Sequence, residues 1–360
     1  MNQLKTNGRS VFITIDIARF FAAFSVYWYH QHLGYLLGSI LHLTWFGVTD
    51  SFGSVYAVPL FFLISGFCIH LSNIRYINEN RKLPIKSYYQ KRLWRIYPPY
   101  IIAVLFSITV NVITKYKAPP QLSDVGSHLF LLHSFSVADF NSINLVLWTI
   151  AVEVCFYLMY PIFYYFRQKY SLLIGLGSAF IISAISITSI YIFDVRVTLP
   201  VRYLFLNLWF AWCVGAWLCD QYYFQKEYYK TSHWRILSSI IFITFVLTES
   251  FHWQKENLIK DSIHVIIWAP VFIWFIGKEA LFQRNRRYLR IPLAIGTSSY
   301  SLYLLHEPLI EVKNFIINNY LPENIHLLGM IAGLFIIPII AYVNYKLFEL
   351  PFAAYKKKSV

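Results

Sequence analysis

The chain has 360 residues, 58% hydrophobic and only 13% charged, with a formal net charge of +14 and a mean hydropathy of +0.51. A soluble domain carries roughly 25% charged residues, so there is too little polar surface here to cover a water-exposed fold. The apolar residues fall in blocks near the roughly 20 residues a helix needs to cross a bilayer, not in the dyad alternation of an outer-membrane barrel. An all-α integral membrane protein is expected.

Ten spans are predicted in chain order, at about 12–33, 55–74, 96–114, 144–166, 171–193, 201–222, 236–251, 262–277, 298–318 and 327–348. The first is not a cleavable signal peptide, because Asp16 and Arg19 sit inside it and no small-residue cleavage site follows. Most of the 31 Lys and Arg residues fall on one side of this arrangement: the N-terminal tail, 75–95, 167–169, 226–235, 278–290 and the C-terminal tail. By the positive-inside rule that side is cytoplasmic, with both termini on it. Topology and anionic lipid account for the net charge, so no nucleic-acid partner is implied. Cys68, Cys155, Cys213 and Cys219 lie within spans without metal-ligand spacing, and no metal is expected. With no internal repeat, the expectation is a single transmembrane domain over 1–360 with no attached soluble domain.

An ionisable side chain in a span costs at least ~2.5–3.5 kcal/mol at mid-bilayer, which marks each as a functional candidate. In the first span Asp16 and Arg19 are three apart and can pair. Arg19 and His30 are eleven apart, about three turns, so they share a face roughly 16 Å apart along the axis. For His30 alone, snorkelling to the interface is as good an explanation. The second span contains Ser65-Gly66, which fits a close helix crossing as well as a site. Arg92 and Arg95, three apart at the expected start of the third span, form a fork suited to a phosphate; anchoring to the cytoplasmic surface would also place arginines there. The fourth span holds Glu153 about mid-helix, after Trp148 and with no basic residue within a turn. The ninth runs Ser299-Tyr300-Ser301-Leu302-Tyr303-Leu304-Leu305-His306-Glu307 and offers a second imidazole.

Taken in order, these motifs resemble the membrane-bound acyltransferase family known as acyltransferase 3, which O-acetylates bacterial surface polysaccharides. The marks are Arg19 with His30 after ten intervening residues, Phe-x-x-x-Ser-Gly-Phe ending at Phe67, and Arg92-x-x-Arg95 before Tyr97-Pro98. Trp148 to Tyr157 around Glu153, and Ser-Tyr-Ser-Leu-Tyr-Leu-x-His ending at His306, complete them. Asp16-Ile17-Ala18-Arg19 stands where the family often has Asp-Gly-Leu-Arg, and Val154 where it often has a second acid. The resemblance implies a ten-helix core, acetyl-CoA as donor from the cytoplasm and a carbohydrate acceptor presented outside, such as lipopolysaccharide O-antigen, in the bacterial inner membrane. It implies that His30, Arg19 and Glu153 are catalytic and that Arg92 and Arg95 bind the donor. Asp16, Ser65, Trp148, Tyr303 and His306 are expected to line the site.

The expected mechanism has His30 as general base on a sugar hydroxyl, with Glu153 holding its tautomer as the acid does in a Ser-His-Asp arrangement. Arg19 would stabilise charge on the thioester oxygen or pair with Asp16. The rival reading is a transporter, which would also place charges in spans; the absence of a detectable repeat or paired broken helices argues against it.

Overall fold

Within lipid, every backbone N–H and C=O needs a partner inside the protein, so a long apolar run folds as a helix. The computed structural model describes residues 12–224 and 258–354, and the described residues form helices and turns with no strand. The elements are α1 (Ile13–His30), α2 (Leu33–Leu41), α3 (Ala57–Asn78), α4 (Ile85–Thr114), α5 (Leu122–Leu129), α6 (Trp148–Lys169) and α7 (Leu172–Ile192). After them come α8 (Phe205–Phe224), α9 (Lys260–Ile276), α10 (Glu279–Arg284), α11 (Arg290–Thr297), α12 (Ser299–Tyr320), α13 (His326–Asn344) and α14 (Leu350–Ala354).

Six helical segments among the described residues are long and apolar enough to cross a membrane: Trp45–Asn78, Ile85–Thr114, Trp148–Lys169, Leu172–Ile192, Leu199–Phe224 and Glu323–Ala353. The expected spans at 12–33, 262–277 and 298–318 are helical, as α1, α9 and α12. They do not join the six: α9 has only 17 residues, while α1 and α12 carry several ionisable side chains. The expected span at 236–251 lies outside the described residues. Two placements need correcting. Helix α4 begins at Ile85 rather than near 96, because the charged residues of 85–95 are good helix formers that a hydropathy window discounts. Arg92 and Arg95 therefore stand two to three turns inside α4, not at its start. Glu153 stands in the second turn of α6 rather than at its middle.

Three features fix the frame around the cavity described below. At the crossing of α3 and α8 the backbones nearly touch: a Cβ on Gly66 would lie 2.1 Å from the Trp212 carbonyl oxygen, and one on Gly215 2.1 Å from that of Leu63. Gly66 thus serves the close crossing that Ser65-Gly66 suggested, while Ser65 faces the cavity. The start of α1 is capped from α10: Ile13 and Thr14 donate backbone N–H bonds to the Glu279 carboxylate at 2.9 and 3.0 Å, satisfying amides that have no partner within the helix. Its other end is set by His32, whose left-handed backbone (φ 51°) stops the helix and leaves His30 in the last turn. Aromatic side chains fill the core between α3, α4, α6 and α8, with Tyr100, Phe156, Tyr160, Trp209 and Trp212 fully buried. In contrast, α7 and α13 expose Phe180, Ile181, Ile185, Phe335, Ile336 and Ile339, the pattern of surfaces solvated by lipid rather than water.

Candidate active site

Helices α1, α3, α4, α6 and α12 enclose a cavity with about 1030 Å³ of space free of protein atoms, part of it open to solvent. Such a volume is at the upper end of that of a small-molecule site. On α3 the lining runs from Val58 to Ser72, fourteen positions apart or about 21 Å of helix. The cavity is therefore long in the direction of the helices. One end is basic: Arg92 and Arg95 from α4 and Arg19 from α1 line it. Arg92 donates from Nη2 to Ser72 Oγ and lies 5.4 Å from the centroid of the Tyr88 ring. Its Nε is buried with no hydrogen-bond partner. A buried guanidinium donor left unpaired is costly, and here the open donor belongs to a residue that lines the cavity.

Arg19 sits between two environments. Its Nη1 lies 3.5 Å from Asp16 Oδ1, the pairing expected from their spacing, and its Nη2 contacts Cys68 Sγ at 3.3 Å. Glu153 faces the same space. Its Oε1 accepts hydrogen bonds from Ser65 Oγ at 2.7 Å and from the Tyr157 hydroxyl, and Ser65 Oγ in turn accepts from Trp212 Nε1 at 3.2 Å. The Trp212 indole N–H can only donate, so the Ser65 proton is free to point at the carboxylate.

The far end is formed by Thr149 and Tyr303, whose oxygens are 3.0 Å apart. Because the Thr149 hydroxyl donates to the Val146 carbonyl at 2.9 Å, the proton between the two oxygens belongs to Tyr303. Behind Tyr303 lies His306, with ring centroids 5.8 Å apart, and His306 meets His30 at 5.0 Å. His30 also packs edge-on against Tyr29 at 5.0 Å.

The structure thus brings Arg19, Ser65, Arg92, Arg95, Glu153 and Tyr303 around one cavity and puts His30 and His306 together just beyond it. Three expectations need correction. Glu153 is bonded to Ser65 and Tyr157, not to His30; it projects into the cavity from the second turn of α6, while His30 lies past Tyr303. Trp148 does not line the cavity; it stacks on Tyr203 at 4.1 Å and Phe140 at 5.4 Å, tying the start of α6 to neighbouring segments. Asp16 supports Arg19 without facing the cavity itself.

Sequence reading missed a second carboxylate. Glu349, buried on the π-turn Tyr345–Glu349 after α13, lines the cavity and accepts from Ser301 Oγ at 2.8 Å. Arg95 and Arg19 are close enough to interact with it electrostatically. The signal available was Glu349 directly after an apolar run, indistinguishable there from an ordinary interfacial acid. Three arginines against two carboxylates leave the lining net positive, which suits an anionic ligand. Also missed was a buried network beside the cavity: Arg167 grips Asp220 at 2.8 and 3.2 Å, Asp220 holds His70 Nε2 at 3.0 Å, and Tyr160 meets His70 Nδ1 at 3.1 Å.

Residues 12–343 match the acyltransferase domain family. The chain belongs to that family. Similarity to curated acyltransferases is spread along the whole domain. An O-acetyltransferase of Staphylococcus aureus named OatA is 22% identical over 366 residues, covering 94% of this chain and 56% of that protein. A peptidoglycan O-acetyltransferase OatA of Listeria monocytogenes is 23% identical over 381 residues, covering 98% of this chain and 57% of its own length. The chain therefore spans little more than half the length of these relatives. No solved structure matches it. For this acyltransferase domain, the helices long and apolar enough to cross a membrane describe a multi-pass membrane protein.

Proposed function

We propose that this acyltransferase moves an acetyl group from cytoplasmic acetyl-CoA to a carbohydrate hydroxyl on the outer side of a bacterial cytoplasmic membrane, with both termini inside. The carrying observation is the cavity itself. Its basic end holds the arginine fork, and its other end closes at Tyr303, one ring away from the His306–His30 pair. Acyl-CoA has anionic phosphates at one end and a thin uncharged arm ending in the thioester. Arg92 and Arg95 suit the phosphates, and a long narrow space suits the arm.

In this reading the acceptor approaches from outside. His30 takes the proton of the attacking hydroxyl, a C–O bond forms at the acetyl carbonyl carbon, and the C–S bond breaks. His30 then returns the proton to the departing thiolate, so that the enzyme ends as it began. The imidazolium formed in between lies at the C-terminal turn of α1, where the helix dipole favours a cation by about 0.3–1 kcal/mol. The Tyr303 hydroxyl, on turning away from Thr149, is the donor available to the carbonyl oxygen as it gains charge, while Arg19 stays at the basic end beside Asp16. Glu153 keeps Ser65 and Tyr157 in place and balances Arg19. The relatives are named for O-acetylation, one of them of peptidoglycan, which supports a glycan acceptor; lipopolysaccharide O-antigen is the acceptor we propose to try first.

The test is CoA release by the purified protein given acetyl-CoA and surface polysaccharide, for the wild type and His30→Ala, with mass analysis of the glycan. Acetylated glycan from the wild type alone supports the reading. Release at equal rates from both proteins removes His30 from the mechanism, and no release with any acyl-CoA or glycan removes the reaction.

A further inference from the structure

The acyl-transfer reading leaves His30 without the carboxylate that usually steadies a histidine base, since Glu153 is engaged elsewhere. The group that does face His30 is His306, and its hydrogen bonding is unusual. His306 is 1% exposed. Its Nδ1 lies 2.8 Å from the Tyr303 carbonyl oxygen and 3.1 Å from that of Leu302. Carbonyl oxygens only accept, so Nδ1 carries the proton and the neutral ring has its lone pair on Nε2. That Nε2 is buried with no hydrogen-bond partner. A buried acceptor left unmade calls for an explanation, because it has given up its hydration with nothing in exchange. The rings around it are Tyr27, Tyr303 and His30. The Tyr27 hydroxyl donates to the Gly333 carbonyl at 2.8 Å and accepts from Gln31. The Tyr303 hydroxyl is taken by Thr149. Of the three, only His30 has a donor to spare; no hydrogen bond joins the two rings in this structure, but they pack edge-on with centroids 5.0 Å apart at 71°.

We infer that His306 is the positioning residue for His30: on a small turn of the His30 ring, its Nε2 accepts the N–H of the His30 nitrogen that does not meet substrate. The deduction rests on the acyl-transfer reading for its purpose and on the orphaned nitrogen for its geometry. In the resting state this bond fixes the His30 tautomer so that the other nitrogen presents a lone pair to the acceptor hydroxyl. When that nitrogen takes the proton, the charge on His30 is shared with a neutral imidazole instead of a carboxylate. The backbone carbonyls of Leu302 and Tyr303 hold the Nδ1 proton throughout. The role usually filled by an acid is thus filled by a second histidine whose own tautomer is set by the helix that carries it.

Two variants separate positioning from packing. His306→Gln places an amide oxygen near the former Nε2 and keeps an acceptor; His306→Leu fills the space without one. Removing the acceptor should lower kcat by about 10²-fold or more, in the range found for general-base catalysis, while KM for acetyl-CoA stays unchanged. The Gln variant should recover most of the loss. Equal kcat for the two variants, or a loss confined to KM, overturns the inference while leaving acyl transfer intact. ¹⁵N spectra of histidine-labelled protein decide it even if no variant, wild type included, transfers an acyl group. An Nδ1–H tautomer at His306 whose Nε2 signal moves in His30→Ala supports the pair, and an Nε2 signal indifferent to His30→Ala refutes it.

Discussion

Replacing Glu153 tests the reading of the cavity most finely, because two substitutions at one position have separable consequences. In Glu153→Ala the hydroxyls of Ser65 and Tyr157 lose their common acceptor. Leaving a buried donor unmade costs about 1–3 kcal/mol, which would suggest twice that for two. The two hydroxyl oxygens are 3.4 Å apart, however, and can turn to each other, so only one bond is lost outright. The expected destabilisation is about 1–3 kcal/mol, seen as a fall of at most about 2–4 °C in Tm per kcal/mol in a chain of this length. Glu153→Gln keeps an amide oxygen for both donors and loses only the charge, so its Tm should stay within about 1 kcal/mol-equivalent of the wild type. Both variants should lower acyl transfer, since the cavity then loses the carboxylate charge that faces Arg19 and only Asp16 and Glu349 remain near it. Thermal unfolding in detergent, followed beside CoA release, reads both quantities. If Gln proves as destabilising as Ala, Glu153 is not the satisfied acceptor described above. Full activity in the Gln variant would remove its charge from the chemistry.

Three further predictions follow from single observations. Gly66→Ala puts a Cβ 2.1 Å from the Trp212 carbonyl oxygen, so α3 and α8 must separate, and the variant should lower Tm by several degrees or fail to accumulate in the membrane; an unchanged Tm contradicts the tight crossing. In the segment between α4 and α6, His128 and His133 stack at 4.0 Å. Burial pushes His133 down to about 3 from 6.5, the neighbouring His128 adding to the effect, and burial also lowers His128. The unfolded chain then binds protons that the folded one refuses, so stability is full above about pH 6.5 and declines as the pH falls towards 3. His133→Phe should flatten the acid side of the Tm profile, and an unaltered profile refutes the assignment. Arg167→Ala leaves Asp220 buried with only His70 for a partner; loss of one member of a buried charge pair costs about 3–5 kcal/mol, and Asp220→Asn in the same chain should restore part of the lost Tm.

How much of this was legible beforehand differs by residue. The Asp16–Arg19 pair needs only three-residue spacing on one helix, and the structure forms it. Arg92, Arg95, Ser65 and Glu153 were visible because polar groups stand out in apolar runs, although the sequence could not place them around a common space. Partner choice was not legible. Glu153 looked like the natural companion of His30, but which helices touch is set by contacts such as Gly66 against Trp212, and these turn Glu153 towards Ser65 and Tyr157. Glu349 and the His70–Asp220 contact were invisible for the same reason, each being defined by residues more than forty positions away. The start of α4 was misplaced because hydropathy reports burial in lipid, whereas helix formation continues through the charged residues of 85–95 into the aqueous side.

The most direct test of the central claim, that the cavity takes an anionic acyl donor at its arginine end, is the affinity of the detergent-purified protein for acetyl-CoA. It should be measured by titration calorimetry at two salt concentrations for the wild type, Arg92→Ala and Arg95→Ala. A charge-assisted hydrogen bond is worth about 1.5–3 kcal/mol, so each variant should weaken binding roughly 10- to 150-fold, with the wild type weakening as salt rises. Binding by the wild type that is indifferent to both arginines and to salt would contradict the account.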